Sequence, residues 1–288
     1  MRAAPYLALV KPGIVFGNLV SAAGGFLLAA RGEVDPRLFA ATLIGAALVV
    51  AGGCTFNNII DRDIDSRMAR TRRRPMVTGA IGLLPAFVFG VLLAAAGLAL
   101  LAVATTPLAT LLAAAGLAIY VGLYSLWLKR RSPHGTLVGS LSGAIPPLIG
   151  YCAVGGRLDA GAGLLFLMFA LWQMPHSYAI AIFRFEDYVA AGIPVQPVRL
   201  GVAAARRHII YYIVAFMVAA VMLTFVGYTG YAYLVVAAVS GACWLNIAVS
   251  GYRATDDRRW ARRVFAASIG NIMVLCLMMA VDFHGTFF

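Results

Sequence analysis

Runs of about twenty apolar residues recur along this chain from Pro12 onward, parted by short polar breaks. Unpaired backbone amides are costly in hydrocarbon, so each run has one stable form there: an α-helix that satisfies its own hydrogen bonds while crossing a bilayer. The composition agrees, with 62% of the 288 residues hydrophobic and 12% charged. Soluble domains are about 45–50% apolar and about 25% charged. Too few polar side chains remain to cover a water-exposed surface, which excludes a soluble fold.

The runs predict nine spans, at roughly 12–30, 38–57, 82–104, 107–127, 135–154, 161–182, 209–228, 231–251 and 264–283. The expected fold class is therefore an all-α membrane protein, a bundle of nine transmembrane helices forming a single domain over 1–288. The first span follows Arg2 and Lys11 and so has the outline of a signal peptide, but further spans follow at once and it reads as retained. Placing the breaks alternately on two sides puts 20 of the 23 lysines and arginines on one side, leaving Arg31, Arg37 and Arg157 on the other. Positive charges near span ends prefer the cytoplasm, which predicts a cytoplasmic N-terminus and a periplasmic C-terminus in the inner membrane. The net charge of +12 is thereby sided, and most of it reads as loops held against an anionic leaflet. No soluble domain is left to carry a basic groove, so nucleic acid is not an expected partner. Cys54, Cys152, Cys243 and Cys276 fall within or at the ends of apolar runs without metal-ligand spacing, and read as small core residues.

The connections on the basic side, 58–81, 183–208 and 252–263, are longer than those opposite. A rigid bundle commonly carries its chemistry on such connections. Within the fifth run, SLSGAIPPLIG (Ser140–Gly150) combines two prolines with several glycines. A broken helix at membrane depth must be buried in protein or line a cavity, so this stretch is either a packing kink or a cavity wall.

The second run ends in GGCTFNNIIDRDIDSRMARTRRRPMVTG, residues 52–79. On a helix Asn57, Asp61 and Asp65 follow at i, i+4, i+8, and Asn58 joins Asp61 and Asp65 at i, i+3, i+7, so one face carries two carboxylates with an amide. An aspartate at bilayer depth costs about 2.5–3.5 kcal/mol, and like charges repel further, so a cation must compensate. Magnesium suits such a set, because it is held by one or two carboxylates together with water and substrate phosphates. Arg67, Arg70, Arg72, Arg73 and Arg74 follow directly, with forked donors for phosphate oxygens. The plain alternative is a solvated helix end whose aspartates and arginines pair locally.

A second polar intrusion closes the sixth run, LWQMPHSYAIAIFRFEDY at 171–188. His176, Arg184 and Asp187 fall near one helical face, Gln173 and Tyr178 are close, and Pro175 predicts a kink. His176 has three readings: a hydrogen-bonded core histidine, a base, or an axial ligand to the iron of a macrocycle. Lys129 and Arg130, with Arg131, close the fourth run on the same side, as phosphate contacts or as simple anchors.

With these residues in view, the sequence resembles the intramembrane prenyltransferases of the UbiA type, and within them the branch that farnesylates heme. The stretches that carry the resemblance are 11–29, 57–79, 124–154 and 171–198. It implies a helical bundle around a central cavity that opens to lipid, with the inner loops capping a diphosphate. It implies transfer of the farnesyl group of farnesyl diphosphate to a vinyl group of heme B, with addition of water, giving heme O. Asn57, Asp61 and Asp65 match the family's magnesium-binding positions, and Arg70 and Arg74 its basic tail. Asn58 stands where many members have another aspartate, and of the second acidic motif Asp187 is the surviving carboxylate, beside Glu186. The residues expected to act are therefore Asn57, Asp61, Asp65 and Asp187, with Arg67, Arg70, Arg74, Lys129, Arg130 and Arg184 on the diphosphate. His176, Tyr178 and Gln173 are expected at the acceptor. A terminal oxidase or a heme A synthase is the downstream partner implied. The rival readings are a prenyltransferase for an aromatic or quinone precursor, a transporter, and a non-catalytic oxidase assembly factor.

Overall fold

The structure is a computed structural model and describes residues 3–283. Arg2 and His284 lie outside the described residues. Among the described residues nine helices are long and apolar enough to span a membrane. They are α1 (Pro12–Ala30), α2 (Pro36–Ile60), α3 (Leu83–Ala104), α4 (Pro107–Arg131), α5 (Gly135–Gly155), α6 (Ala160–Phe183), α7 (Val202–Phe225), α8 (Tyr231–Arg253) and α9 (Asp257–Val281).

Several helix starts are written into the sequence as a capping residue, twice followed by proline. The Asp35 carboxylate accepts the amides of Arg37 (2.8 Å) and Leu38 (3.3 Å) ahead of Pro36, and the Thr106 hydroxyl accepts that of Ala109 (3.2 Å) ahead of Pro107. Asp159 caps α6 through Ala162 (3.0 Å) and Asp256 caps α9 through Arg259 (2.9 Å). Each such cap contributes about 1 kcal/mol and fixes where its helix begins.

Two helices begin about two turns earlier than the apolar runs do, α7 at Val202 and α9 at Asp257. Arg206, Arg207 and the arginines from Arg258 to Arg263 are thus helical rather than loop residues. Hydropathy misses this because an arginine can lay its apolar stem along a helix end while its head stays polar. Arg206 shows the device: it pairs with Asp257 and lies over the rings of Trp260 (5.2 Å) and Tyr252 (5.7 Å).

The outer surface of the bundle is apolar, with Val103 89%, Leu84 70% and Phe225 70% exposed, as lipid-facing side chains should be. Inside, helices approach through glycine. Gly25 on α1 faces the Pro147 carbonyl of α5, and Gly150 on α5 faces the Ala22 carbonyl of α1, so neither position has room for a Cβ. Cys54, Cys152 and Cys276 are buried, but Cys243 is exposed, which corrects the reading of all four cysteines as core residues. Hydropathy does not tell the lipid-facing side of a span from the bundle-facing side.

Two departures from regular α-helix point at the site. Within α4, Ile119–Leu128 is π-helical, a rare form found frequently at functional sites. Within α5, the helix breaks at Ala144, ahead of Pro146 and Pro147.

Candidate active site

Asn57, Asp61 and Asp65 are 4%, 1% and 4% exposed. The chain carries them from the last turn of α2, through a break at Asp61, into a single helical turn at Arg62–Asp65. Helical bonding continues across the break: Asp61 N–H donates to the Asn57 carbonyl (2.9 Å) and Asp65 N–H to the Asp61 carbonyl (2.8 Å). The spacing read from the sequence therefore survives. The Asn57 amide nitrogen donates to Asp61 Oδ2 (2.8 Å) and to the Ser125 hydroxyl in the π-helical turn of α4 (3.1 Å). Asn58 turns away, donating to the carbonyls of Leu9 (2.9 Å) and Cys54 (3.0 Å), so it fastens Ala3–Val10 to α2.

Four cations meet this acidic face. Lys129 Nζ pairs with Asp61 Oδ2, and Lys11 Nζ donates to Asn57 Oδ1. Arg74 pairs with Asp65 Oδ2 at 2.6 Å. Arg130 grips Asp63 with both terminal nitrogens at 2.7 Å, donates to the Ile60 carbonyl at 2.6 Å, and lies 3.9 Å from Asp61 Oδ1. Hydrogen bonds from Arg130 hold the Asp63 carboxyl down, at about 2. Lys11 sits just before α1 with a left-handed backbone (φ 51°), which costs a non-glycine residue about 1 kcal/mol. Removal from water, with Arg74 and Lys129 nearby, lowers its ammonium to about 8 against the pull of Cys54 and Asp61.

The arginine run does not continue the helix. After Asp65 the chain folds back in turns, fastened by the Thr71 hydroxyl on the Asp65 carbonyl (2.9 Å), and this fold brings Arg74 onto Asp65. Arg67 and Arg70 are exposed.

Beside the charged cluster lies a cavity of about 320 Å³. Tyr120, Tyr124 and Lys129 from α4, with Tyr188, line its polar part, while Val49, Ile145 and Ile149 are among its apolar walls. Gly139, Gly143 and Pro146 of the broken α5 line it too, so that stretch is a cavity wall. Burial pushes the Tyr188 phenol above its usual range.

Residues 18–269 match the UbiA prenyltransferase family. The chain belongs to this family. A protein of Chromobacterium violaceum named protoheme IX farnesyltransferase 2 is 61% identical over 98% of this chain and 94% of its own length. One of Pseudomonas aeruginosa with the same name is 58% identical over 99% and 96%, and protoheme IX farnesyltransferase of Pectobacterium carotovorum 59% identical over 96% and 94%. Among solved structures, one described for digeranylgeranylglyceryl phosphate synthase superposes with a TM-score of 0.78 at 20% identity, covering 96% of this chain and 98% of that one. A UbiA homolog from Archaeoglobus fulgidus bound to GPP and Mg2+ gives a TM-score of 0.66 at 17% identity, covering 96% and 99%. These two establish the fold.

The site of this prenyltransferase suits a divalent cation in its donor chemistry. Among the described residues no three His, Cys, Asp or Glu side chains gather as a metal cage. One amide and two carboxylates are, however, the partial set that a hard cation shared with phosphate requires. Asp61 Oδ1 is buried without a hydrogen-bond partner, an oxygen whose desolvation a cation would offset.

The second polar segment of the prenyltransferase is divided. α6 runs through Pro175 to Phe183, the chain breaks at Arg184, and Phe185–Ala190 forms a short helix. Arg184 lies over the Phe183 ring at 5.4 Å. Gln173 lines the cavity and rests against Gly143. His176 turns toward α9, its Nδ1 2.8 Å from the Ser268 hydroxyl and its ring between Trp172 and Phe265 at 4.7 Å each. Tyr178 is buried beside Tyr212 at 6.2 Å, and neither it nor His176 lines the cavity. Asp187 accepts the Ala69 amide at 2.9 Å. Lys11, Tyr120, Tyr124, Ser125 and Tyr188 belong to the site and were not singled out by motif. Tyr120, Tyr124 and Ser125 did share the apolar run that Lys129 closes.

Proposed function

We propose that this prenyltransferase transfers the farnesyl group of farnesyl diphosphate to a vinyl group of heme B, with addition of water, giving heme O. The observation that carries the reading is the junction of two environments: a largely apolar cavity of about 320 Å³ opens beside the buried Asn57–Asp61–Asp65 cluster and its cations. A prenyl diphosphate has the same division, and the cavity volume falls in the usual range for small-molecule sites, about 300–1,000 Å³. Near-full-length likeness to proteins named protoheme IX farnesyltransferase supports heme B as the acceptor.

Asn57, Asp61 and Asp65 would hold Mg2+. Magnesium bound there would neutralise charge growing on the leaving diphosphate. Lys129 and Arg74, with the exposed Arg67 and Arg70 on the turns after Asp65, would supply ammonium and guanidinium donors to the same oxygens. The allylic C–O bond breaks and its electron pair leaves with diphosphate. Tyr120 and Tyr124 line the cavity where the allylic cation would form, and the apolar wall would delay its capture by bulk water. The vinyl π electrons then form the new carbon–carbon bond, and the cation left beside the macrocycle takes up water and releases a proton.

The basic end of the bundle, where all these groups lie, faces the cytoplasm of the inner membrane in this reading, as the 20 of 23 sided cations suggest. A heme A synthase or a terminal oxidase would receive the product. Membranes carrying the chain, supplied with heme B and farnesyl diphosphate, should yield a hydroxyethylfarnesyl heme by mass, and none after chelation of magnesium. A prenylated quinone beside unchanged heme would instead establish the sister reaction.

A further inference from the structure

On each of the three donors of the acidic face, one oxygen is engaged by a cation belonging to the chain itself. Lys11 holds Asn57 Oδ1, Lys129 holds Asp61 Oδ2 and Arg74 holds Asp65 Oδ2. Counting Asp63 and its partner Arg130, three carboxylates face four cations, so the cluster is net positive before any of the exposed arginines is included. A bare divalent cation entering this cluster finds Asp61 Oδ1 open, but to gather Asn57 Oδ1 and Asp61 Oδ2 as well it must displace an ammonium, and the surrounding cations repel it. Charges a few ångströms apart in such surroundings interact more strongly than at an exposed surface, because little water screens them. A diphosphate meets the opposite field: it gives Lys11 and Lys129 new partners, and in doing so frees the Asn57 and Asp61 oxygens.

We propose that Lys11 and Lys129 are resident counter-ions of the acidic face, so that the divalent cation enters only together with diphosphate. The proposal rests on the diphosphate site described above and adds an order of events to it. Neither lysine is a passive anchor. Lys129 Nζ lies 5.9 Å from the Tyr124 ring centroid, at the cavity wall, where it can pass from carboxylate to phosphate. Lys11 is held in a left-handed backbone conformation that a simple membrane anchor does not need. The two also come from separate parts of the chain, Lys11 being 46 residues from Asn57 and Lys129 68 residues from Asp61.

The experiment uses the full chain in detergent, Mn2+ as a paramagnetic substitute for magnesium, and inorganic diphosphate in place of the prenyl substrate. Wild-type protein should bind Mn2+ alone at least about tenfold more weakly than Mn2+ with diphosphate. Lys129→Met should tighten binding of Mn2+ alone by about tenfold, Lys11→Met should act in the same direction, and Lys129→Arg, which keeps the charge, should not. Equal affinity of the wild type with and without diphosphate would overturn the proposal, as would two methionine variants that leave Mn2+-alone binding unchanged. Failure of the underlying site looks different: no Mn2+ would bind even with diphosphate, or Asp61→Asn would bind the pair as well as wild type.

Discussion

Asp187 Oδ1 accepts the backbone N–H of Ala69 at 2.9 Å, joining two loops that lie 118 residues apart in sequence. Ile64 and Met68 from one loop pack with Ala191 and Ile193 from the other beneath this bond. The carboxylate expected from sequence to act on substrate thus has a structural partner, and through Ala69 it sets the path of the turn that returns Arg74 to Asp65. An asparagine keeps the accepting oxygen and loses the charge. Asp187→Asn should therefore retain most of the activity, while Asp187→Ala should lose about tenfold or more in kcat/KM, the equivalent of one hydrogen bond of about 1.4 kcal/mol. Parallel failure of both variants in a steady-state assay would mean that the charge itself is required.

Ser125 fixes the second N–H of the Asn57 amide, which turns Asn57 Oδ1 to Lys11 and, on the proposed function, makes it the oxygen that would meet a divalent cation. Removing the hydroxyl leaves that amide free to rotate about its bond to Asp61. Ser125→Ala should weaken divalent cation binding in the presence of diphosphate by about fivefold, the effect of one lost neutral hydrogen bond. Heme B affinity should be unchanged, and a rise in its KM would show that the π-helical turn shapes the acceptor pocket instead.

Gly150 and Gly25 set how closely α1 and α5 approach, since a Cβ at either would meet a carbonyl of the facing helix. Gly150→Val should lower the melting temperature in detergent by several degrees, as overpacking costs about 1–3 kcal/mol. Gly163 on α6 has nothing within 4 Å of an added Cβ, so Gly163→Ala should be neutral or mildly stabilising. Similar melting of both variants would show that the α1–α5 contact is not tightly packed.

What could be read from sequence follows the range of the forces involved. The alignment of Asn57, Asp61 and Asp65 is local, set by helical geometry, and it survives the break at Asp61. The spans are legible because hydrocarbon leaves the backbone little choice. Lys11 and Ser125 were missed because their roles exist only once α4 and the segment before α1 meet α2, contacts 46 and 68 residues apart. The reversal that brings Arg74 to Asp65 was missed because a helix and a compact set of turns share the same run of arginines. His176 shows the converse: its position in a conspicuous polar motif said nothing about which side of α6 it occupies.

Gln173 and His176 are less than one turn apart on α6, roughly 60° around its axis, yet their side chains meet different neighbours. Gln173 reaches the cavity over the bare backbone of Gly143, and His176 lies between Trp172 and Phe265 with its Nδ1 on Ser268. If the cavity receives the acceptor, the glutamine is the residue that meets it. Gln173→Leu should raise the KM for heme B several-fold, and Gly143→Ala should do likewise by displacing the glutamine. His176→Phe keeps the aromatic packing and gives up one hydrogen bond, so it should cost about 1 kcal/mol of stability and leave the kinetics for heme B near wild type. The reverse pattern, with a strong effect at His176 and none at Gln173, would place the macrocycle on the α9 side of the helix and require α6 to turn before it binds.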